Sequence, residues 1–151
     1  MQTKMPSASL AIAPITDADI AGVVALWQAC GLTRPWNDPA ADIALARRGP
    51  SSAVLVGRDA GAIVATAMVG HDGHRGWVYY VAVDPTRQGK GLGRVMMAAA
   101  EDWLRAAGVP KLQLLVRREN AKASAFYQTL GYEESTSVML AKWLDGREAT
   151  P

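Results

Sequence analysis

One run of the sequence, Trp77 to Arg94, constrains the fold more than any other. It begins with an apolar stretch, Trp77 to Val83, that is rich in β-branched and aromatic residues and is followed by Asp84-Pro85. Such a stretch predicts a strand buried on both faces at the middle of a sheet. Apolar residues with helical spacing then predict a helix: Leu92, Val95, Met96, Ala99 and Trp103.

The turn between this strand and this helix has the chemistry of an anion site. Glycines stand at alternate positions of the turn: Gly89, Gly91 and Gly93. They let the backbone approach a ligand closely, and the first N–H groups of a helix lack partners within it. Lys90 and Arg94 add positive charge beside these N–H groups, with Arg87 as a further candidate. The turn is therefore predicted to bind a phosphate or pyrophosphate.

Two common nucleotide-binding motifs do not match this turn. A P-loop has a hydroxyl residue directly after its lysine to bind magnesium, whereas Lys90 is followed by Gly91. A dinucleotide-binding fingerprint has the spacing Gly-x-Gly-x-x-Gly, whereas this turn has Gly-x-Gly-x-Gly. Neither nucleotide motif explains the turn, and a tight turn that merely uses glycines is the structural alternative.

The turn from Gln88 to Gly93 resembles the Gln/Arg-x-x-Gly-x-Gly/Ala signature of the GNAT acetyltransferases. A second segment resembles the family pattern Asn…Ala-x-x-Phe/Leu-Tyr…Leu-Gly-Phe/Tyr, through Asn120, Ala123 to Tyr127 and Leu130 to Tyr132. The resemblance extends over about residues 10–142. Two loops, residues 34–39 and 72–76, are similar to those of the YpeA-type bacterial branch of the family.

The resemblance implies an α/β (α+β) GNAT fold with a central mixed, mostly antiparallel sheet. This sheet would have about six to seven strands, would be flanked by about four helices and would splay between the fourth and fifth strands. The pattern predicts strands at Leu10–Ile15, Ser52–Arg58, Ala62–Gly70, Trp77–Val83, Lys111–Val116 and within Tyr132–Lys142. It predicts helices after the caps Thr16, Asp38 and Asn120 and from Leu92 to about Gly108.

The same patterns predict one domain with two tails. Residues 1–9 are expected to be a disordered tail, residues 10–142 a single GNAT domain and residues 143–151 a polar C-terminal tail. The chain has 151 residues, of which 50% are hydrophobic and 20% charged, and this composition favours one ordinary globular domain.

Composition also argues against several kinds of partner. Cys30 is the only cysteine and there are two histidines, so neither a disulfide nor a cysteine-rich metal site is expected. The formal net charge is +2 with scattered basic residues, which gives no sign of nucleic-acid binding. No apolar run approaches the ~20 residues of a membrane span, and the first residues do not form a secretion signal. We therefore expect a cytoplasmic protein that binds neither membrane nor metal.

The resemblance implies a set of residues that bind acetyl-CoA. They are Val81, Ala82, Val83, Gln88, Gly89, Lys90, Gly91, Leu92, Gly93, Arg94, Asn120 and Tyr127. In the family, the glycine turn holds the pyrophosphate, and backbone donors near the end of the fourth strand polarise the acetyl carbonyl. Asn120 either contacts the cofactor or only caps its helix.

Tyr127 occupies the position at which many family members have the general acid. A phenol with a reference pKa of about 10 is protonated at neutral pH and can protonate a thiolate of reference pKa about 8.5. No general base is evident. Some relatives, including the ribosomal-protein N-terminal acetyltransferases, have a glutamate where this chain has Leu115. That difference puts a peptide N-terminus as substrate in doubt, and water can accept the proton of an amine that is partly neutral.

Polar and aromatic residues of two loops and the fourth strand are expected on the acceptor side. They are Arg34, Trp36, Asp38, His71, Asp72, Tyr79 and Tyr80. Asp38 is equally explained as a helix cap, and Trp36 with Arg34 forms either a clamp over the core or a wall facing the ligand. Cys30 lies on the apolar face of the first helix and is predicted to pack there.

Two functions agree with these patterns. The first is an acetyl-CoA-dependent N-acetyltransferase that moves an acetyl group to a primary amine by direct transfer in a ternary complex. The second is a non-catalytic acyl-CoA-binding or sensing module of the same fold, which the absence of an evident base favours. The resemblance also implies a homodimer, and it leaves the amine unidentified.

Overall fold

The computed structural model describes residues 9–148. The chain forms two compact units, one ending at Leu115 and one beginning at Val116. The predicted disordered tail, residues 1–9, lies outside the described residues except for Ser9, and the last three residues of the predicted C-terminal tail lie outside them too. A single domain over residues 10–142 stays a prediction.

The first unit contains a five-stranded sheet whose strands follow one another in chain order. The strands are β1 (Ala11–Pro14), β2 (Ser52–Asp59), β3 (Ala62–His71), β4 (Gly76–Val83) and β5 (Leu112–Gln113). Strands β1 to β4 pair antiparallel, whereas β5 pairs parallel with β4. The sheet is therefore mixed and mostly antiparallel, as the sequence predicted.

The predicted count of six to seven strands is too high for the described residues. The stretch Lys111–Val116 forms a strand only at Leu112–Gln113, and the described residues from Tyr132 to Lys142 contain no strand. Val138 and Leu140 in that segment are 80% and 92% exposed. Because a strand is stabilised by a neighbour that pairs with it and covers it, apolar composition alone did not determine this segment.

Residues 9–148 also contain four α-helices, in agreement with the predicted number. They are α1 (Ile20–Ala29), α2 (Pro39–Ala46) and α3 (Leu92–Ala106) in the first unit and α4 (Ala121–Thr129) in the second. Thr16 and Asp19 form a capping box on a short 3-10 turn before α1, and Asp38 caps α2 ahead of Pro39. Gly31 and Gly108, just after α1 and α3, have φ of 67° and 78°, the left-handed conformation that is typical of a helix C-terminus.

Helices α1 and α2 cover one face of the sheet with an apolar cluster. Its largest fully buried members are Trp27, Ile43, Val23, Val54 and Val56. Strand side chains alternate between faces, so Gly57, next to Val56, faces the other side. There a Cβ added to Gly57 would lie 2.9 Å from the sulfur of Met96 in α3, and one added to Gly76 would collide with Leu104. These glycines let α3 approach the opposite face closely.

The buried face of α3 differs slightly from the predicted one. Leu92 and Met96 are buried as expected, but Val95, Ala99 and Trp103 are only half-buried. Met97, Ala100 and Leu104 are buried instead. The helix thus turns its Leu92, Met96, Ala100 and Leu104 stripe, at four-residue spacing, toward the sheet.

Within residues 9–148, no helix combines the length and the apolar character that a membrane span requires.

A partly buried ion pair links the start of α1 to the sheet. Asp19 is 6% exposed and pairs with Arg58 of β2. Its Oδ2 also accepts hydrogen bonds from the backbone N–H and the hydroxyl of Thr16, both at 2.9 Å. The hydrogen bond from Arg58, followed by those from Thr16, lowers the pKa of Asp19 below its ordinary value of 3.8. The folded chain therefore favours the charged carboxylate.

We expect Asp19→Asn to lower the free energy of unfolding at neutral pH and to reduce its fall in acid. Because the pKa of Asp19 is lower in the folded than in the unfolded chain, its stabilisation is present above the ordinary value of 3.8 and is lost as pH falls through the folded pKa. Urea denaturation at neutral pH and at several values below about pH 4 measures both effects.

The control for this prediction is Asp17→Asn. It makes the same change of charge at a side chain that is 91% exposed and pairs with Arg47 at the surface. We expect it to change stability little, since exposed ion pairs contribute about 0–1 kcal/mol. Equal pH profiles for the two variants would contradict the role assigned to Asp19.

Candidate active site

Strand β4 contains a bulge at Tyr80. Tyr79 pairs with Met68 of β3 and Ala82 pairs with Thr66, so two residues of β4 lie opposite one of β3. Tyr80 has a φ of 51°, in the left-handed region, which is a conformational outlier for a bulky residue. The strand is not buried on both faces as predicted, because Tyr79 is 47% exposed. A hydrophobic pattern does not encode a bulge, which bends a strand and redirects its side chains.

Side chains from three elements hold Tyr80. Its ring stacks on Trp27 of α1, with centroids 3.7 Å apart and an interplanar angle of 8°. The Thr66 hydroxyl donates to the Tyr80 carbonyl at 2.8 Å, and Trp27 Nε1 donates to that hydroxyl at 2.8 Å. The Tyr80 hydroxyl donates to Asp42 of α2 at 2.7 Å. Burial, followed by this bond to Asp42, raises the pKa of Tyr80 far above its ordinary value.

Sequence reasoning missed three members of this network. Trp27, Thr66 and Asp42 are not among the residues predicted for the site. A signal for Thr66 was available, because it is the one polar residue in the apolar run from Ala62 to Val69. A polar residue in such a strand is fully buried only when its hydrogen bonds are satisfied.

The edge of β4 that faces β5 is paired only at its beginning. Gly76 pairs with Leu112 and Trp77 with Gln113, and no other residue of the described chain pairs with β4 on that edge in a strand ladder. The strands thus separate after Trp77, at the predicted position between the fourth and fifth strands. The residues predicted to bind the cofactor along β4, Val81, Ala82 and Val83, belong to this open part of the edge.

The glycine turn follows β4 and opens helix α3. Asp84 Oδ1 accepts hydrogen bonds from the N–H and the hydroxyl of Thr86 at 2.9 Å, which fixes a short 3-10 turn. Gly89 and Gly91 have φ of 81° and 77°, in the region that favours glycine. A Cβ added at either position would meet no atom within 4 Å, so the turn faces open space.

The N-terminus of α3 differs from those of α2 and α4. Asp38 and Asn120 cap α2 and α4 with their own side chains. At α3 the N-cap is Gly91, and no side chain of residues 9–148 caps this end. The first backbone N–H groups of the longest helix are therefore left for an external acceptor.

Positive charge beside this turn comes from two residues rather than three. Arg87 donates to Asp59 at 2.7 Å and lies 3.9 Å from Asp84, so its charge is compensated. Lys90 and Arg94 are exposed and form no ion pair within the part of the chain that the structure describes. Open N–H groups and two uncompensated cations fit a diphosphate.

The loop after α1 uses its polar residues for local structure. Arg34 Nη1 donates to the carbonyls of Gly31 at 2.8 Å and Thr33 at 3.0 Å. Asp38 Oδ1 accepts from the N–H groups of Ala40 at 3.1 Å and Ala41 at 3.2 Å, so its interpretation as a helix cap is confirmed. Trp36 is half-buried.

The loop between β3 and β4 is also organised by its own side chains. Asp72 Oδ1 accepts from the N–H groups of Arg75 at 2.7 Å and His74 at 2.9 Å, and these bonds lower the pKa of Asp72. Trp77 Nε1 donates to the other carboxylate oxygen at 3.4 Å, and the N–H of Gly73 donates to His71 Nδ1 at 3.2 Å. This loop precedes β4, so the length of the strand separates it from the glycine turn.

The second unit carries Asn120 and Tyr127 on α4. Asn120 Oδ1 accepts from the N–H of Ala123 at 3.1 Å and so caps the helix. The Tyr127 ring makes edge contacts with Phe126 and Tyr132, at centroid distances of 5.0 and 6.0 Å. Burial raises the pKa of the Tyr127 phenol above 10.0. The phenol is therefore protonated at neutral pH.

Among the described residues, no group of three or more His, Cys, Asp or Glu side chains is arranged to hold a metal ion. Cys30, the only thiol, donates to the carbonyl of Val83 at 3.2 Å, and burial raises its pKa. A high pKa disfavours the thiolate, so Cys30 acts in packing, as predicted.

Comparisons with known proteins agree with this geometry. The model of the acetyltransferase (GNAT) family matches residues 20–132. The chain is 40% identical over 127 residues to acetyltransferase YE1169 of Yersinia enterocolitica, which covers 84% of this chain and 90% of that protein.

Two solved structures have a similar fold. The structure of AAC(6')-Iy in complex with the bisubstrate analogue CoA-S-monomethyl-acetylneamine has a TM-score of 0.77 and 16% identity, over 90% of this chain and 99% of the other. The ribosomal-protein-S18-alanine N-acetyltransferase of Escherichia coli has a TM-score of 0.71 and 26% identity, over 85% and 80%. The family match and the 40% identity confirm the resemblance found in the sequence. The chain belongs to the acetyltransferase (GNAT) family of enzymes.

Proposed function

We propose that the protein transfers an acetyl group from acetyl-CoA to a primary amine by direct transfer in a ternary complex. The observation that carries this proposal is the uncapped glycine turn of α3 at the end of a strand whose outer edge is open. A protein of similar fold is described in complex with an analogue that contains CoA, and this supports the same cosubstrate here.

The cosubstrate side is built from β4 and the glycine turn. The N–H groups from Gly89 to Gly93, with Lys90 and Arg94, hold the diphosphate of CoA. Gln88 and Leu92 frame this turn, Leu92 from its buried position in α3. The pantetheine chain lies along the open edge at Val81 to Val83, where backbone N–H groups hydrogen-bond the acetyl carbonyl oxygen.

The transfer itself needs little from the protein beyond orientation and one proton. The lone pair of a neutral amine attacks the thioester carbon, so that a C–N bond forms and the C–S bond breaks. Tyr127 gives its phenolic proton to the departing thiolate, whose reference pKa is about 8.5. The proton lost by the amine leaves through water, since Leu115 provides no carboxylate at the position where some relatives have glutamate.

The acceptor side lies along the α2 face of β4. Asp42 accepts a hydrogen bond from the Tyr80 hydroxyl at 2.7 Å, and Asp38 caps the N-terminus of the same helix. This acidic surface attracts a protonated amine. The other proposed acceptor residues are Arg34, Trp36, His71, Asp72 and Tyr79, and Asn120 is proposed to contact CoA. A homodimer and a cytoplasmic location stay predictions.

Incubation with acetyl-CoA and a panel of small amines, amino acids and peptides should release free CoA, measured with a thiol reagent. We expect the double variant Lys90→Gln/Arg94→Gln to bind CoA at least about tenfold more weakly by calorimetry, because each cation makes a charge-assisted hydrogen bond to phosphate.

The matched control for that variant is Arg48→Gln/Lys111→Gln. It removes the same charge from two exposed residues outside the turn, so CoA affinity should stay within about twofold. An equal loss in both variants would argue against a diphosphate site at the turn. Tight binding of CoA by a protein that acetylates no amine would favour the non-catalytic acyl-CoA-binding module.

Tyr127→Phe should lower kcat by about 10²–10⁴-fold, the range expected for loss of a general acid, while KM for acetyl-CoA changes little. Steady-state kinetics with the best amine of the panel measures both constants. Tyr132→Phe removes the neighbouring phenol of the same aromatic group and should retain kcat. If Tyr127→Phe retains the wild-type kcat, Tyr127 is not the acid.

A further inference from the structure

The bulge in β4 is held by a buried polar residue of the neighbouring strand. Thr66 and Trp27 are both 0% exposed. The Thr66 hydroxyl donates its one proton to the Tyr80 carbonyl and accepts the indole N–H of Trp27, each at 2.8 Å. It thereby satisfies two groups that would otherwise be buried without a partner.

The side chain of Tyr80 is fixed independently at its other end. The ring lies parallel to the indole of Trp27, and its hydroxyl bonds Asp42 of α2 at 2.7 Å. Beyond the bulge, the Cys30 thiol donates to the Val83 carbonyl, and the N–H of Asp84 donates to the Val64 carbonyl at 2.8 Å. Polar contacts thus hold the strand at both ends of the segment from Tyr80 to Val83.

This arrangement is hard to explain by stability alone. A left-handed φ is unfavourable for tyrosine, and buried polar groups stabilise less than an apolar core of the same shape. The bulge also lies where it affects the open edge, three residues after β4 leaves its last partner on that side. Strained residues that are held by their surroundings are common where a backbone must be presented to a ligand.

We propose that Thr66 is a positioning residue for acetyl transfer. Its hydroxyl holds Tyr80 in the bulge and so sets the direction in which the N–H groups of Val81 to Val83 point along the open edge. Trp27 supports Thr66 in two ways. Its indole N–H donates to the Thr66 hydroxyl oxygen, and its ring stacks on the ring of Tyr80. The inference deepens the proposed function and rests on it.

Thr66→Val tests this proposal because it keeps the shape of the side chain and removes only the hydroxyl. We expect kcat to fall about tenfold or more, as for a reacting group displaced by a fraction of an ångström, while KM for acetyl-CoA stays within about threefold. Hydrogen–deuterium exchange should become faster in peptides covering residues 78–83 and stay unchanged in β2. Thr66→Ser keeps a hydroxyl and should restore both kcat and exchange.

The control for lost stability is Val54→Ala, in β2 on the same face of the sheet. Val54 is 1% exposed and takes no part in the hydrogen bonds of Thr66, so its truncation destabilises the core and leaves those hydrogen bonds in place. It should leave kcat within about twofold at a temperature where the protein is folded. A wild-type kcat in Thr66→Val, an equal loss in Val54→Ala or a failure of Thr66→Ser to restore activity would overturn the proposal.

The exchange measurement separates this inference from the proposed function. If the wild-type protein acetylates no amine, the proposed function fails. Faster exchange confined to residues 78–83 in Thr66→Val then still supports a positioning role, and unchanged exchange overturns it. If Thr66→Val does not fold, Trp27→Phe serves as the second variant, because it removes the indole N–H that the Thr66 hydroxyl accepts and keeps an aromatic ring beside Tyr80. Unchanged exchange at residues 78–83 in that variant likewise counts against the proposal.

Discussion

The incomplete pairing of β4 is the constraint on which the rest of the site depends. One edge of the strand is bonded to β3 along its length, whereas the other pairs only at Gly76 and Trp77. An open edge exposes backbone N–H and C=O groups that favour an extended partner. A short 3-10 turn and the glycine turn connect the strand to an uncapped helix N-terminus. Backbone donors for an extended ligand are therefore followed along the chain by backbone donors for an anion. A cosubstrate whose long thioester arm leads to a diphosphate matches this order.

The bulge changes which backbone N–H groups of β4 face that open edge. A regular strand alternates its N–H groups between two neighbours, so an unpaired edge offers every second N–H. The extra residue at Tyr80 shifts this alternation within β4, and the contacts of Thr66, Trp27 and Asp42 make the shift rigid. A rigid donor array costs little reorganisation when charge develops on a bound oxygen. We therefore infer that the buried polar network and the open edge serve one purpose, which is to present backbone N–H groups to a bound oxygen.

Local signals in the sequence determined much of this structure. The glycine turn and the caps at Thr16, Asp38 and Asn120 depend on backbone rules that act over a few residues, and all were predicted. The bulge at Tyr80 and its contacts with Trp27 and Asp42 were not predicted, because these contacts join residues about 40 to 50 positions apart in the chain. The strands expected after Tyr132 were wrong for a related reason, since a strand needs a neighbour as well as composition.

Positive and negative side chains lie at different places in the first unit. Asp59 compensates Arg87, which leaves Lys90 and Arg94 as the cations beside the glycine turn. The carboxylates of Asp38 and Asp42 lie instead at α2, where Asp38 caps the helix and Asp42 bonds the hydroxyl of Tyr80. The diphosphate of CoA is an anion and a protonated amine is a cation, so each is attracted to a different place and repelled from the other. An attacking amine must lose its proton, and the proposed acceptor of that proton is solvent water. This explains how the chain could act without a base at Leu115.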